Sequence, residues 1–216
     1  MTKIITIAGQ KGGAGKSTIA AHLSVALSQA GNKILLVDID PQASLKSWYQ
    51  IREEKFGKGY TGVQFLESSG WRVSSTISSY QGKVDYIIID SPPHTELETK
   101  NAVRLADLVI IPMQPSPTDL WATSATVAFA ETEKKDYRII LNRYNPNSKT
   151  AKEIIEQINN KLACSLGNRV AFSTCFMHGK CVTETDPMSQ AAVEIRNFTD
   201  EIISILEPAS LEMEEA

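Results

Sequence analysis

Residues 3–18 read KIITIAGQKGGAGKST, and this stretch decides the fold. A short β-branched, apolar run turns through closely spaced glycines and enters a segment of helical length. A glycine-rich loop between a strand and a helix predicts a phosphate cradle, because small residues let successive backbone N–H groups curl around an anion at a helix N-terminus. We expect Lys16 to reach the β- and γ-phosphates of a nucleotide and the Ser17 hydroxyl to hold Mg²⁺. A glycine turn that binds nothing is the alternative, which the strand before the loop disfavours.

The rest of the chain alternates apolar runs of strand length with segments of helical length. Nearly continuous apolar runs are typical of strands covered on both faces. The pattern predicts one α/β domain, residues 1–207, with a doubly wound, mostly parallel sheet and helices on both faces, and then an acidic, disordered tail at residues 208–216. The predicted strands span residues 3–8, 33–38, 86–90, 108–112 and 137–142; the predicted helices span residues 17–30, 96–105, 119–134 and 149–162. Thr118 or Asp119 is the expected N-cap of the third helix.

Two acidic motifs follow predicted strands and therefore share a sheet edge with the glycine-rich loop. They are VDIDPQ at residues 37–42 and IDSPP at residues 89–93. Carboxylates at this edge suit a magnesium and water site. An apolar run that ends in aspartate, here Asp90, is the arrangement in which a carboxylate holds Mg²⁺, usually through a water. Ordinary turn residues are the alternative interpretation.

These motifs together resemble the ParA/MinD family of P-loop ATPases. KGGAGKST at residues 11–18 is similar to that family's deviant phosphate loop, in which Gln10 replaces the usual glycine and the additional lysine, Lys11, is the signature. VDIDPQ resembles the family's first switch, and Pro92-Pro93 resembles its second. Residues 111–121 (IPMQPSPTDLW) resemble the short plasmid-partition branch, the ParF-like proteins, and also VirC-like members. The resemblance is firm from residue 3 to about 144 and becomes a general architectural likeness to about 206.

The resemblance implies that two subunits sandwich two ATP molecules and that Lys11 reaches the partner's phosphates. A cation supplied in trans would stabilise charge on the transferring phosphoryl group. Lys11, Lys16 and Asp40 are then the catalytic residues, with Asp40 orienting the attacking water. Mg²⁺ is held by Ser17, Asp90 and, near its water shell, Asp38. The implied ATP-binding residues are Lys11, Gly12, Gly13, Ala14, Gly15, Lys16, Ser17, Thr18 and, against the adenine, Asn142. Asn142 is about equally well explained as a turn residue at a strand end.

The resemblance also implies a function, the partition of plasmid or chromosomal DNA. ATP closes a homodimer, the dimer binds DNA non-specifically, and a small ParB-like centromere-binding protein stimulates the weak hydrolysis that releases it. A MinD-like or VirC-like positioning ATPase with another cargo is the first alternative. A small-molecule ligase on the same fold is disfavoured by Lys11, since such an enzyme needs no lysine from a second subunit, and a non-hydrolysing sensor is disfavoured by Asp40.

The composition, with 42% hydrophobic and 22% charged residues over 216 positions, is ordinary for a soluble globular protein. Three cysteines form no even framework and indicate thiols in a reducing compartment. No signal-peptide core or membrane-length apolar run is present, so we expect a cytoplasmic, nucleoid-associated protein. We expect no membrane partner, because the apolar spacing of residues 193–206 has mostly acidic neighbours and fits packing on the sheet better. We expect His94 to be exposed.

Charge is unevenly distributed along the chain. Residues 138–180 hold seven Lys/Arg against two Asp/Glu, whereas residues 181–216 hold one against nine. Such a block can form a non-specific DNA surface, and a solvated face is the alternative. At the end of this block, Cys175, His178 and Cys181 supply at most three of the four ligands of a structural zinc site, so we expect no metal there. The block consists of Arg138, Arg143, Lys149, Lys152, Lys161, Arg169 and Lys180.

Overall fold

The fold is a seven-stranded sheet with helices on both faces. The structure is a computed structural model that describes residues 1–57, 61–93 and 96–208. Its strands are β1 (Lys3–Ile7), β2 (Ile34–Asp38), β3 (Gln64–Glu67), β4 (Tyr86–Asp90), β5 (Leu108–Met113), β6 (Asp136–Tyr144) and β7 (Lys161–Gly167). Their order is β3-β2-β4-β1-β5-β6-β7, and every neighbouring pair among them is parallel. The predicted doubly wound α/β fold is therefore confirmed.

Side chains of the central strands alternate between two cores because successive residues of a strand face opposite sides. In β4, Tyr86 and Ile88 belong to one buried cluster, while Ile87 and Ile89 belong to the other side. The first side is covered by α1 (Lys16–Gln29), α2 (Ser44–Phe56), α7 (Val170–Met177), α8 (Val182–Thr185) and α9 (Gln190–Leu206). The second is covered by α3 (Val73–Ser78), α4 (Glu96–Leu105), α5 (Pro117–Thr132) and α6 (Lys149–Ile155).

The sequence patterns missed both edge strands. The helix predicted over residues 149–162 is wrong at its end, because α6 stops at Ile155 and β7 begins at Lys161. Edge strands β3 and β7 are only partly buried, so they lack the continuous apolar run that marked the central strands. Ile154 and Ile158 continue a helical spacing into the turn before β7 because both pack into the same core.

Two smaller predictions concern the N-cap of α5 and the packing of α9. The N-cap of α5 is neither Thr118 nor Asp119 but Ser116, whose hydroxyl accepts a hydrogen bond from the Asp119 N–H at 3.2 Å, with Pro117 as the first helical residue. The predicted packing of residues 193–206 is confirmed, since Ile195 and Phe198 of α9 are fully buried in the core.

Some sequence predictions lie outside the described residues, namely the exposure of His94 and the disordered tail from residue 209 onward. Among the helices that the structure describes, none combines the length and apolarity needed to cross a bilayer.

Candidate functional site

The glycine-rich loop follows the central strand β1 and is held in place from β6. Gly13 and Gly15 have left-handed backbones, with φ of +75° and +95°, and α1 begins immediately afterwards at Lys16. Asn142, near the end of β6, donates from Nδ2 to the Ala14 carbonyl at 2.7 Å. A Cβ on Gly15 would lie 2.4 Å from that Nδ2. Both its backbone angle and this close approach therefore require glycine at position 15.

Lys16 is buried beside a cavity that suits a polyphosphate. Its Nζ donates to the Lys11 carbonyl oxygen at 3.2 Å. Burial lowers the pKa of Lys16, while the carboxylates of Asp90 and Asp40 act in the opposite direction. The cavity, of about 430 Å³, is lined by Gly12, Gly13, Gly15, Lys16, Ser17, Thr18, Asp40, Gln42, Ser44, Pro93, Arg143 and Phe176. A lysine and a helix N-terminus at one cavity are the elements that bind phosphate groups.

Asp90 is a fully buried carboxylate at the end of β4, next to the glycine-rich loop. It lies beside Asp38, since the two residues are direct partners in the parallel register of β2 and β4. Both its side-chain oxygens are without a hydrogen-bond partner among the described residues. Burial raises the pKa of Asp90 to about 8, with the Ser17 hydroxyl and Lys16 lowering it and Asp38 raising it. An unpaired carboxylate next to Ser17 fits a hydrated divalent cation, because Mg²⁺ is commonly bound through one or two carboxylates, waters and substrate phosphates.

Asp38 organises the loop that carries Asp40. Its Oδ1 accepts from the Asp40 N–H at 3.0 Å and its Oδ2 accepts from the Lys46 N–H at 3.0 Å. Burial raises the pKa of Asp38, which those two backbone donors partly offset. Asp40 accepts from the Gln42 N–H at 2.9 Å and lines the phosphate cavity. The two aspartates therefore have different surroundings: Asp38 holds the loop, and Asp40 lines the space in which the nucleotide phosphates would lie.

Lys11 forms an ion pair that the sequence patterns did not indicate. Its Nζ donates to Oδ1 of Asp119 at the start of α5; the lysine side chain is 41% exposed and that of Asp119 is 2% exposed. Asp119 also accepts from the Gln114 N–H at 3.1 Å and from the Ser116 hydroxyl at 2.9 Å. The only local signal for Asp119 was an acidic residue in the first turn of a helix, which resembles a cap.

A second cavity, of about 210 Å³, adjoins the loop at Gly15 and Thr18 on the side of β7 and α7. Asn142 lines it, but its amide also holds the loop, and its Oδ1 accepts from the Arg143 N–H at 2.9 Å. His22, buried at its wall, donates from Nδ1 to the Thr18 carbonyl at 2.8 Å. Burial lowers the pKa of His22 to about 4, so the imidazole is neutral at physiological pH. The cavity has the position expected for the nucleoside of a nucleotide whose phosphates occupy the loop.

The basic block does not form one surface. Arg138 lies near the amino end of β6 and Lys161 begins β7, whereas Arg143 lies near the carboxyl end of β6. Five residues of strand separate Arg138 from Arg143 by about 16 Å. Arg169 pairs with Glu194 at 2.7 Å. Exposed residues Lys149 and Lys152, three positions apart on α6, remain as a local basic pair.

The thiols of Cys175 and Cys181 have separate hydrogen-bond partners. The thiol of Cys175 donates to the Thr185 hydroxyl at 3.4 Å, and that of Cys181 donates to the Ala21 carbonyl at 3.5 Å. His178 is exposed. Within the described ranges, no group of three or more His, Cys, Asp or Glu residues is placed to hold a metal ion.

Comparison with known proteins agrees with this geometry. The family model described as the CobQ/CobB/MinD/ParA nucleotide binding domain matches residues 5–180. Maintenance of carboxysome distribution protein A of Halothiobacillus neapolitanus is 28% identical over 92% of this chain and 95% of its own length. The chromosome-partitioning ATPase Soj of Thermus thermophilus is 23% identical over 95% of this chain and 97% of its own. The solved structure of the septum site-determining protein MinD of Pyrococcus horikoshii, complexed with Mg-ADP, matches with a TM-score of 0.83 at 23% identity and covers 96% of this chain and 98% of that one.

Proposed function

Because this chain belongs to the CobQ/CobB/MinD/ParA nucleotide-binding domain family, we propose that it binds ATP with Mg²⁺ and hydrolyses it. The observation that carries the proposal is the buried, unpaired carboxylate of Asp90 beside Ser17, next to a cavity lined by Lys16. Mg²⁺ bound there would neutralise charge on the β- and γ-phosphates. The Mg-ADP in the similar Pyrococcus structure and the ATPase activity in the name of the Thermus relative support the assignment.

The residues at and beside the cavity have distinct roles in this proposal. The N–H groups from Gly12 to Thr18 surround the phosphates and Lys16 contacts the β- and γ-phosphates. Ser17 and Asp90 would hold Mg²⁺, and Asp38 would lie near its water shell. Asp40 orients the attacking water, which its place on the cavity wall allows. Asn142, which lines the second cavity, contacts the adenine, and the phosphate loop that it supports positions the phosphates.

Dimerisation on ATP completes the site. The ParA/MinD family is characterised by such dimers, and Lys11 is the residue that would enter the partner's site. Its side chain lies at the exposed rim of the loop rather than in the cavity, where Lys16 already supplies a cation. We infer that Lys11 serves the partner's nucleotide once its ion pair with Asp119 is broken.

We further propose that the dimer is a ParA-type partition ATPase that binds DNA non-specifically and is released when a small ParB-like partner stimulates hydrolysis. Lys149 and Lys152 are the part of the basic block best placed for phosphate contacts, since both are exposed on one face of α6. Positioning of another cargo is the second candidate, favoured by the relative named for carboxysome distribution, which aligns over 92% of this chain. Both candidates use the same ATP cycle, and a partition ATPase bound to DNA would lie in the cytoplasm, on the nucleoid.

The ATP site is tested by nucleotide binding and turnover in matched lysine and aspartate variants. Lys16→Ala should abolish binding of a fluorescent ATP analogue, whereas Lys83→Ala, an exposed lysine in the turn before β4, should bind like the wild type. Asp40→Ala should bind ATP, stop turnover and accumulate the dimer. Tight ATP binding by Lys16→Ala, or normal turnover by Asp40→Ala, would reject the assignments.

Dimerisation and DNA binding are tested together by light scattering and by salt titration. Wild type should dimerise with ATP and Mg²⁺ and bind DNA only then, while Lys11→Ala should stay monomeric. Replacing Lys149 and Lys152 together by alanine should make the slope of log K for DNA binding against log salt concentration shallower, by the amount expected for the loss of about two phosphate contacts. A wild-type protein that stays monomeric at saturating ATP while hydrolysing it would refute the cross-subunit role of Lys11.

A further inference from the structure

Helix α7 carries an exposed apolar face beside the candidate ATP site. Val170 is 78% exposed and Met177 is 62% exposed, and Ala171 and Thr174 lie exposed on the same side at helical spacing. The helix sequence, VAFSTCFM, contains no charged residue. Two turns of helix that present only uncharged side chains to solvent indicate a contact surface rather than a solvated one.

The opposite face of α7 is firmly anchored, so the exposed face has a fixed position. The ring of Phe172 meets His22 edge-on at 5.4 Å between centroids, and Phe176 stacks on Trp48 at 6.1 Å. Cys175 between them is buried. These three residues recur at the spacing of one helix face, which leaves Val170, Thr174 and Met177 pointing away from the core.

This anchoring places α7 along the mouth of both cavities. Val170, Phe172 and Ser173 line the cavity next to Thr18, and Phe176 lines the phosphate cavity. On the other side of the loop, Trp121 in α5 is 70% exposed two residues after Asp119, the partner of Lys11. Exposed apolar side chains therefore flank the candidate ATP site on both sides.

We propose that the outer face of α7, formed by Val170, Ala171, Thr174 and Met177, is a contact surface for the second copy of this chain in the ATP-bound dimer. This inference rests on the proposed function, in which the partner's Lys11 must reach across the cavity mouth. A body that covers that mouth meets α7, because α7 forms one of its rims. In a two-fold dimer both subunits would present this face at the contact.

Two substitutions that introduce a charge, at positions that line neither cavity, test the proposal. Thr174→Asp and Met177→Lys each place a charge on the outer face, and the lysine at the end of the helix also suits the helix dipole. The matched control is Asn159→Asp, an exposed position in the turn between α6 and β7, near the amino ends of the strands. Light scattering at saturating ATP and Mg²⁺ should show the dimer dissociation constant raised by at least about tenfold in both variants and unchanged in the control, because an unpaired charge would be buried.

The outcomes separate this inference from the proposed function. A wild type that fails to dimerise with ATP rejects the proposed function. If the wild type and both α7 variants dimerise equally well, only the role of α7 is rejected, and its exposed face would then contact a different partner protein. Binding of a fluorescent ATP analogue is measured in parallel. The reference is wild type diluted below its dimer dissociation constant, because dimerisation itself tightens ATP binding. If Thr174→Asp binds the analogue more weakly than this monomeric wild type, α7 belongs to the nucleotide site rather than to the subunit contact, and the proposal is overturned.

Discussion

Lys11 donates from Nζ to Oδ1 of Asp119, a residue 108 positions later in the sequence, and so ties the phosphate loop to the first turn of α5. The bond keeps this ammonium within its own subunit. In the proposed dimer the same ammonium contacts the partner's nucleotide, so the interaction with Asp119 is exchanged for one with phosphate. The pair therefore opposes dimerisation by the free energy needed to separate it.

We expect Asp119→Asn to tighten the ATP-dependent dimer. Asparagine keeps the size of the side chain and an acceptor for the Gln114 N–H, but it removes the charge that holds Lys11. A partly exposed ion pair contributes up to about 1 kcal/mol. Two such pairs are separated in each symmetric dimer, so the dissociation constant should fall by up to about thirtyfold. Light scattering over a range of protein concentrations measures this. Asp136→Asn, at the exposed start of β6, is the control, and an equal or weaker dimer in Asp119→Asn would contradict the exchange.

The two ends of the glycine-rich loop should differ in their tolerance of a methyl group. Gly15→Ala places Cβ against Nδ2 of Asn142 at a φ of +95°, whereas a Cβ on Gly12 meets nothing within 4 Å. We expect Gly15→Ala to lower the free energy of unfolding of the nucleotide-free protein by about 1–3 kcal/mol and Gly12→Ala to change it little. Urea denaturation measures both.

A double variant separates the two causes at Gly15. Adding Asn142→Ala to Gly15→Ala removes the clash but not the backbone strain, so the combined loss should be smaller than the sum of the single losses. Additive losses would show that the close approach of Asn142 is not responsible.

The residues that the sequence predicted are those with local signals. The loop, Asp38, Asp40 and Asp90 each follow a buried, β-branched run, and parallel strands bring such positions to one edge whatever their order in the sheet. Asp119 gave no such signal, because its partner Lys11 lies 108 residues away. The helix predicted over residues 149–162 runs into the first two residues of β7 because the turn before that strand keeps an apolar spacing. The rest of β7 gave no strand signal because an edge strand is half exposed. Long-range contacts and edge strands are properties of the assembled sheet, which no local pattern records.

The neutral, buried His22 should make the protein sensitive to acid. Its pKa falls from 6.5 to about 4 on folding, so the unfolded chain binds a proton in this range that the folded chain does not. Stability is then lost as pH falls from 6.5 towards 4, by at most about 3 kcal/mol from this group.

We expect His22→Asn to make the free energy of unfolding depend less on pH, since asparagine can still donate to the Thr18 carbonyl but does not titrate. Free energies of unfolding measured at intervals between pH 7 and pH 4 give the slope, which cavity formation alone would not alter. His178→Asn, at an exposed histidine, is the control and should keep the wild-type slope. Parallel slopes for wild type and His22→Asn would exclude a titrating role for His22.

Arg52 in α2 is buried and joins three segments of the chain. It forms a two-pronged ion pair with Glu184, with Nη1 and Nη2 at 2.8 Å and 2.6 Å from the carboxylate. It also donates to the Thr61 carbonyl from Nε at 2.9 Å and to the Gly179 carbonyl at 3.1 Å. Helix α2, which bears Arg52, begins four residues after Asp40. The Arg52–Glu184 pair therefore fixes the helix to which the Asp40 loop is attached.

We expect the effect of Glu184→Gln to change sign with the residue at position 52. In the wild type it should destabilise, because the guanidinium loses its charged partner. Arg52→Met itself should lose about 1–3 kcal/mol by leaving the partly buried Glu184 carboxylate without its cation. In that background Glu184→Gln should restore part of the loss, since burying a neutral amide costs less than burying a charge. Its oxygen can still accept the bond that Glu184 receives from the Cys181 N–H at 2.9 Å. Urea denaturation of the four proteins gives the coupling free energy, and a Glu184→Gln effect of the same size and sign in both backgrounds would show that charge pairing does not hold these segments together.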